Sequence, residues 1–502
     1  MVRRTNQEGF AMKRQNGFLM LALILALALP ALAAEKKNAS APTAADTRGT
    51  PAVDGKSTPA DQKSMSITIY NDNLGLVKDV RSVNLKSGVQ NLWFEGVAGQ
   101  IDATSVHIRS LDAPNALRVL EQNFEYDLIS PDKLMEKYVG QPVEIVTTHA
   151  DGGTETTKAT LVGIQNGYVY QLENGKIAIN PPGHVVLPAL PQGLVSQPSL
   201  VWMLDASKTK QTVEASYLTG GIGWKADYVA VLAADDSKLD LSGWVTINNT
   251  SGATYNDAQL KLVAGNVNRV QPQYAPMAEG AVRMDAMAKN APQFQEESFF
   301  EYHLYTLERK ATIQDNQTKQ IELLSAEGAK TKKSFVVSPQ QSYWFYQFTD
   351  VEKPKVGVYI SVENSKKNQM GMPLPKGTVR VYKQDKQGAL QFIGEDAIDH
   401  TPEDETIRVK MGDAFDVVAE RVQTSFEVLS SGHLYRSAYK VTLRNHKDEN
   451  ITVSVVDLLG GDWTITQSSH KYDKETAQRV RFDVPVAAKG NAELTYTVEI
   501  RQ

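Results

Sequence analysis

The sequence contains no cysteine. That excludes disulfides, and it excludes a lipid carried on an N-terminal cysteine, so an exported fold of this composition has to be held by its apolar core alone. Histidine is scarce. His107, His149, His184, His303, His400, His433, His446 and His470 stand singly, with no HExxH and no paired spacing, so a zinc hydrolase has no local signature. No basic cluster offsets the formal net charge of −5, which argues against nucleic acid or an anionic membrane surface as the partner. No fixed-period repeat and no heptad pattern persists. Long apolar runs are missing too, with one exception near the start.

That exception is residues 18–29, an apolar run of 12 that follows Lys13-Arg14 and precedes Ala31-Leu32-Ala33. Spanning a bilayer takes about 20 residues. The short run and the small-x-small site together read as a signal peptide over residues 1–33, with a mature start at Ala34. Met12, just ahead of the positive pair, offers a second start. No integral membrane segment is expected after cleavage. Residues 34–64 hold Ala, Pro, Thr, Asp and Lys without an aromatic residue up to that point, a composition too poor in apolar surface to offset ordering, and read as a disordered linker.

What the chain does have is alternation. Trp224, Ala226, Tyr228, Ala230 and Leu232 fall on one face of a strand, with Lys225 and Asp227 on the other. Leu239, Leu241, Val245 and Ile247 repeat the pattern, and turn residues such as Thr219-Gly220-Gly221 and Asp235-Asp236-Ser237 separate the runs. Short strands of this kind continue to the end of the chain. The fold class expected is all-β and multi-domain: immunoglobulin-like β-sandwiches plus a small β-barrel, with few short helices. The domain plan is an N-terminal β domain over 65–134, a small barrel over 135–200, a central sandwich over 201–404 and a C-terminal immunoglobulin-like sandwich over 405–502. The barrel rests on four or five short strands punctuated by Asp151-Gly152-Gly153, Asn166-Gly167 and Asn174-Gly175. Just before it, Ser130 and Pro131 open the clearest helix. Residues 271–297, rich in Pro, Gln, Ala and Met, read as a mobile insertion that contributes to partner capture.

The wording of the central region is similar to a family. YLTGGIGWKADYVAVL (217–232) and SGWVTINNTSGATYNDAQLKLVAGNVNRV (242–270) resemble domain-of-unknown-function family 4139, exported bacterial proteins often labelled mucoidy inhibitor A-like. The resemblance continues through YHLYTLERKATIQDNQTKQIELL (302–324), PLPKGTVRVYKQDKQGALQFIGEDAIDHTPEDE (373–405), GDAFDVVAER (412–421) and GDWTITQSSHKYDK (461–474). Upstream, SITIYNDNLGLVKDVRSVNLKSG (66–88) resembles the family's N-terminal partner domain. Many relatives carry a coiled coil between the two parts, whereas this chain has the small barrel-like stretch there. The resemblance implies export to the periplasm and brings no catalytic residues.

Constellations that chemistry might use are thin. Asp396, Asp399, His400, Glu403, Asp404 and Glu405 are the densest run of oxygen ligands, but the spacing is not that of a calcium loop, and a solvated loop is the favoured reading. Ser437 to Lys440 and Ser468 to Lys471 match S-x-x-K, yet Ser437 sits in a strand-like run without the companion motifs. Met277, Met284 and Met287 offer thioethers in an unpatterned segment. Gly220-Gly221-Ile222-Gly223 leads into a strand and so lacks the helix that cradles phosphate. The aromatic run 343–348 alternates, which puts half of it in a core. No catalytic, cofactor or metal residue is therefore assigned. The expected function is an exported, non-enzymatic envelope protein that binds or scaffolds, with an envelope protein or glycan as partner. The alternative is a hydrolase of envelope polysaccharide or peptide whose site assembles only in three dimensions.

Overall fold

The computed structural model describes residues 55–191, 193–265, 267–268, 293–338, 346–430 and 433–501. The expected signal peptide, residues 34–54 of the expected linker and residues 271–292 of the expected insertion lie outside them. The fold is all-β, 64% strand and 4% helix, and among the described residues one α-helix occurs, Pro131–Lys137.

At the centre, strands Ile222–Leu232 and Lys238–Asn249 pair antiparallel, with Trp224 opposite Ile247, Ala226 opposite Val245 and Ala230 opposite Leu241. Every one of these side chains is buried, as period two requires when a single face meets a core. Gly243 stands opposite Tyr228. A Cβ there would lie 3.0 Å from the Leu324 side chain and 3.2 Å from the Tyr228 ring, so the missing side chain is what lets the ring lie across the sheet. The Tyr228 hydroxyl then donates to the Pro375 carbonyl at 2.8 Å.

This hairpin belongs to a ten-stranded sheet that runs Leu390–Ile398, Gly377–Gln384, Ile222–Leu232, Lys238–Asn249, Gln317–Val337, Ile451–Leu458, Arg479–Val486 and Tyr472–Thr476, with Val356–Glu363 and Thr406–Asp413 branching from the long strand. The first part of the sheet and its branch curl round an apolar interior. Tyr228, Leu241, Ile360, Val381 and Val409 fill it and leave a void of about 10 Å³, too small to be a ligand site.

Chain neighbours are not sheet neighbours. Gln62–Tyr70 and Leu74–Asn84 lie between Tyr255–Ala264 and Lys210–Thr219 in an eight-stranded sheet. Ser199–Ala206 sits between Gly88–Glu95 and Leu117–Glu125 in a four-stranded one. The expected borders near 134 and 200 therefore do not separate the N-terminal strands from the central ones, which share one core. Order also starts earlier than the composition suggests. Gly55–Ser57 pairs parallel with Gly88–Glu95, and the Ser57 carbonyl accepts from Arg81, so the end of the expected linker is strand. Arg81 itself is buried, paired with Asp79 at 2.7 Å and laid over the Phe94 ring at 3.7 Å.

The C-terminal sandwich does not stand alone either. One layer is Val417–Ser430, Leu434–Asn445, Asn491–Arg501 and Asp462–Ser468. The facing layer takes in the far end of Gln317–Val337, so Phe335, Val337 and Val356 fill the C-terminal core together with Val453, Phe482 and Tyr496. Residues 294–297, expected in the insertion, belong to strand Phe294–Phe299, and Phe294 is buried. The described end of the aromatic run is irregular rather than strand, held where the Phe348 N–H donates to Gln423 Oε1 at 2.6 Å.

Candidate functional site

The segment 131–189 forms a small module of its own core. Ser130 has extended backbone and its Oγ accepts from the Lys133 N–H at 3.2 Å, Pro131 fills the first helical position where no N–H is needed, and the helix buries Met135. Tyr138 follows. Its hydroxyl donates to the Ala189 carbonyl at 2.6 Å and accepts the Ala189 N–H at 3.1 Å, so the two ends of the module are tied together.

Four strands, Pro142–Thr148, Thr154–Gly163, Val169–Leu172 and Ile177–Ile179, make a meander, and His184–Val186 returns to pair with the first. Asn166, Gly167, Gly152 and Gly175 all take positive φ at the turns. The expected small barrel is an open five-stranded sheet: its edge strands are three residues each, and no ladder joins them among the described residues. Val143, Ile145, Ala159, Leu161 and Tyr170 pack against Met135 and Tyr138 on one face. Alternation sends Val162, Ile177, Ile179 and Val186 to the other, where Ile177 is 56% and Ile179 71% exposed.

Each face carries a cleft. The one on the helix side has a volume of about 430 Å³, with apolar walls from Leu134, Ile145, Pro181, Val185 and Leu187 and with Tyr168, Tyr170 and Asn180 as its polar groups. Its rim depends on Gly183, at φ 119°, where a Cβ would lie 2.5 Å from the Val146 carbonyl oxygen. Thr147 Oγ1 donates to the Pro182 carbonyl nearby at 3.0 Å. Tyr170 is 2% exposed, its hydroxyl meets no hydrogen-bond partner among the described residues, and burial pushes its pKa up, with Tyr168 adding to the effect. The Asn180 Oδ1 accepts the Tyr168 N–H at 2.7 Å, and its amide nitrogen lies against Gly167, where a Cβ would come within 2.6 Å of it. The second cleft, about 530 Å³, lies over the open face and includes Glu144, Lys158, Thr160 and Gln171. Both volumes suit a ligand or a peptide segment.

The residues weighed from the sequence do not converge. Asp396 accepts the Lys410 N–H at 2.8 Å, Glu403 pairs with Lys366 at 2.7 Å, and Asp404 takes positive φ, so the acidic run is spent on separate local partners. Among the described residues no group of three His, Asp or Glu is arranged to hold a metal ion. Ser437 is buried on strand Leu434–Asn445 and accepts from Gln423 at 3.3 Å, whereas Lys440 on the opposite face meets Glu493 at 3.4 Å. His303 pairs with Glu296 at 2.7 Å and His149 with Glu155 at 3.3 Å. Met277, Met284 and Met287 lie outside the described residues.

Apart from Tyr170, the strongly perturbed groups stand away from both clefts. His400 accepts the Lys376 N–H on Nδ1 at 3.2 Å and keeps Nε2 buried without a partner, and burial, then Lys376, lowers its pKa. Glu322 is buried on Gln317–Val337 opposite Trp244, and desolvation raises its pKa. Arg421 is buried between Asp457 and Glu352, each at 2.8 Å, over the Tyr439 ring at 4.0 Å. Tyr496 donates to the same Asp457 and its pKa is raised, burial being the main cause.

Sequence reading passed over the helix-side cleft. Tyr168-Val169-Tyr170 did carry a signal, two tyrosines on one face of a short strand between Asn166-Gly167 and Asn180-Pro181, but alternation alone assigns such a face to a core. No curated protein matches the chain. The model of the family described as Domain of unknown function (DUF4139) matches residues 213–502, more than half of the sequence and all of the central hairpin, the long shared strand and the C-terminal sandwich. The 131–189 module lies upstream of the match. The chain belongs to the DUF4139 family.

Proposed function

We propose that this protein is an exported, non-enzymatic component of the bacterial envelope that binds or scaffolds a partner, with the 131–189 module as its binding head. The observation that carries the reading is the module itself: a two-layer unit with one sheet face uncovered among the described residues, Ile177 and Ile179 exposed on it, and an open cleft on each side. Exposed apolar residues gathered on one face mark interaction surfaces. The hydrolase reading needs convergent carboxylates or histidines in a cleft. His400 and Glu322, a histidine and a carboxylate with shifted titration, stand on other elements, which favours binding. The N-terminal pattern of residues 13–33 supports export.

The test pairs location with capture. Fractionated cells should yield a mature N-terminus at Ala34, and the full chain should retain a specific envelope protein or glycan that is lost when Ile177 and Ile179 are both changed to Lys. An N-terminus at Met1 or Met12 defeats export. Retention of the same partner by the double variant, with its melting temperature unchanged, removes the module from the function.

A further inference from the structure

We propose that the helix-side cleft is a site for an extended, proline-containing peptide segment in the polyproline II conformation. This rests on the binding reading above and names its ligand. Three features of the cleft select that chemistry. First, none of its lining side chains is charged: Pro131, Leu134, Met135, Ile145, Val185 and Leu187 supply apolar wall, so a charged or heavily hydroxylated ligand would lose hydration without repayment. Second, Tyr168 and Pro181 line the cleft, and planar rings pack well on prolyl rings. Third, each of the polar groups available can donate. The Tyr170 side chain is buried but its hydroxyl meets no partner among the described residues, nor does the Tyr168 hydroxyl, and the Asn180 amide nitrogen makes no hydrogen bond among them.

A ligand that satisfies them must bring acceptors on an apolar body. A proline-rich strand does so, since its carbonyls make no internal hydrogen bonds and its prolyl residues have no N–H to bury. Its stiffness also lowers the entropy lost on docking into an aromatic groove. An acyl chain would fill the walls but leave all three donors unpaired.

The experiment is calorimetric titration of the full chain with a capped hexaproline peptide and with a capped Gly-Ser peptide of equal length. Saturable binding of hexaproline alone is expected. Tyr168→Ala should weaken it about tenfold, the upper range of one aromatic contact, and Tyr170→Phe, which deletes only the hydroxyl, should weaken it a few-fold. No saturable hexaproline binding, or binding that ignores both substitutions, overturns the proposal. Laurate binding that Tyr168→Ala abolishes, without hexaproline binding, reassigns the cleft to an acyl ligand. In either failure, an envelope partner still lost on the Ile177→Lys, Ile179→Lys change leaves the binding reading standing, whereas a partner retained by that variant removes the module from the function whatever the peptide does.

Discussion

Arg421 shows how single residues set the limits of this fold. It is buried in the C-terminal core with Asp457 and Glu352 as partners, and Tyr496 and Tyr439 complete the surroundings. Removing one member strands the others, because a buried charge without its partner keeps its desolvation cost and loses its attraction. Asp457→Ala is therefore expected to cost about 3–5 kcal/mol in urea unfolding, and the double change Arg421→Met, Asp457→Leu to cost less than the single one. A double loss equal to the sum of the two single losses would show that the pair is not coupled. His400 makes a second residue-scale prediction. Its folded pKa lies below the ordinary 6.5, so the native state binds fewer protons than the unfolded one, and stability falls as pH drops through 6.5 towards the lowered value. Protonation also costs the Lys376 N–H its acceptor, with Lys376, Asp399 and His303 the charged neighbours. Replacing His400 by Gln should flatten the change in urea midpoint between about pH 7.5 and pH 5.5, the window in which an ordinary imidazole titrates. An unchanged slope would place the sensitivity elsewhere.

At the scale of elements, the central hairpin carries its own instruction. Its alternation fixed which face is buried, and the Asp-Asp-Ser turn fixed where it reverses; Asp236 takes positive φ there and binds Lys333 and Lys383. The position of Gly243 is not written in that alternation, since only the partner strand brings Leu324 and Tyr228 against it. Gly243→Val should destabilise by about 1–3 kcal/mol through overpacking, read as a shift of the denaturant midpoint. A neutral substitution would mean that the Tyr228 ring can move aside. The small module makes the complementary case. Its turns were legible in Asn166-Gly167 and Asn174-Gly175, but whether five short strands close into a ring depends on the length of the edge strands, and with three residues each no ladder joins them among the described residues.

For the whole molecule, the decisive element is Gln317–Val337, 21 residues long. Its first half buries Ile321, Leu323 and Leu324 in the central core, and its end buries Phe335 and Val337 in the C-terminal one. Two cores that share a strand cannot be separated without cutting the hydrogen-bond ladder. The isolated fragment 405–502 is thus expected to remain unfolded, with poor amide dispersion in its NMR spectrum, because Val453 and Val455 would lose Phe335 and Val337 as neighbours. A well-dispersed spectrum would show that the sandwich is independent after all.

The sequence by itself determined the local matters: strand rather than helix, the buried face of the central and C-terminal strands, the helix start at Ser130-Pro131 and most of the turns. These follow from side-chain period and backbone preference, which act over a few residues. Tertiary structure alone decided which strands are neighbours. It put Gln62–Tyr70 beside Tyr255–Ala264, brought Gly55–Ser57 onto a sheet edge, and set the helix Pro131–Lys137 across from Tyr168 and Tyr170 to leave a cleft between them. Alternation states that a face will be covered but carries no information on what covers it, because burial stabilises through the area removed from water and not through the identity of the partner strand.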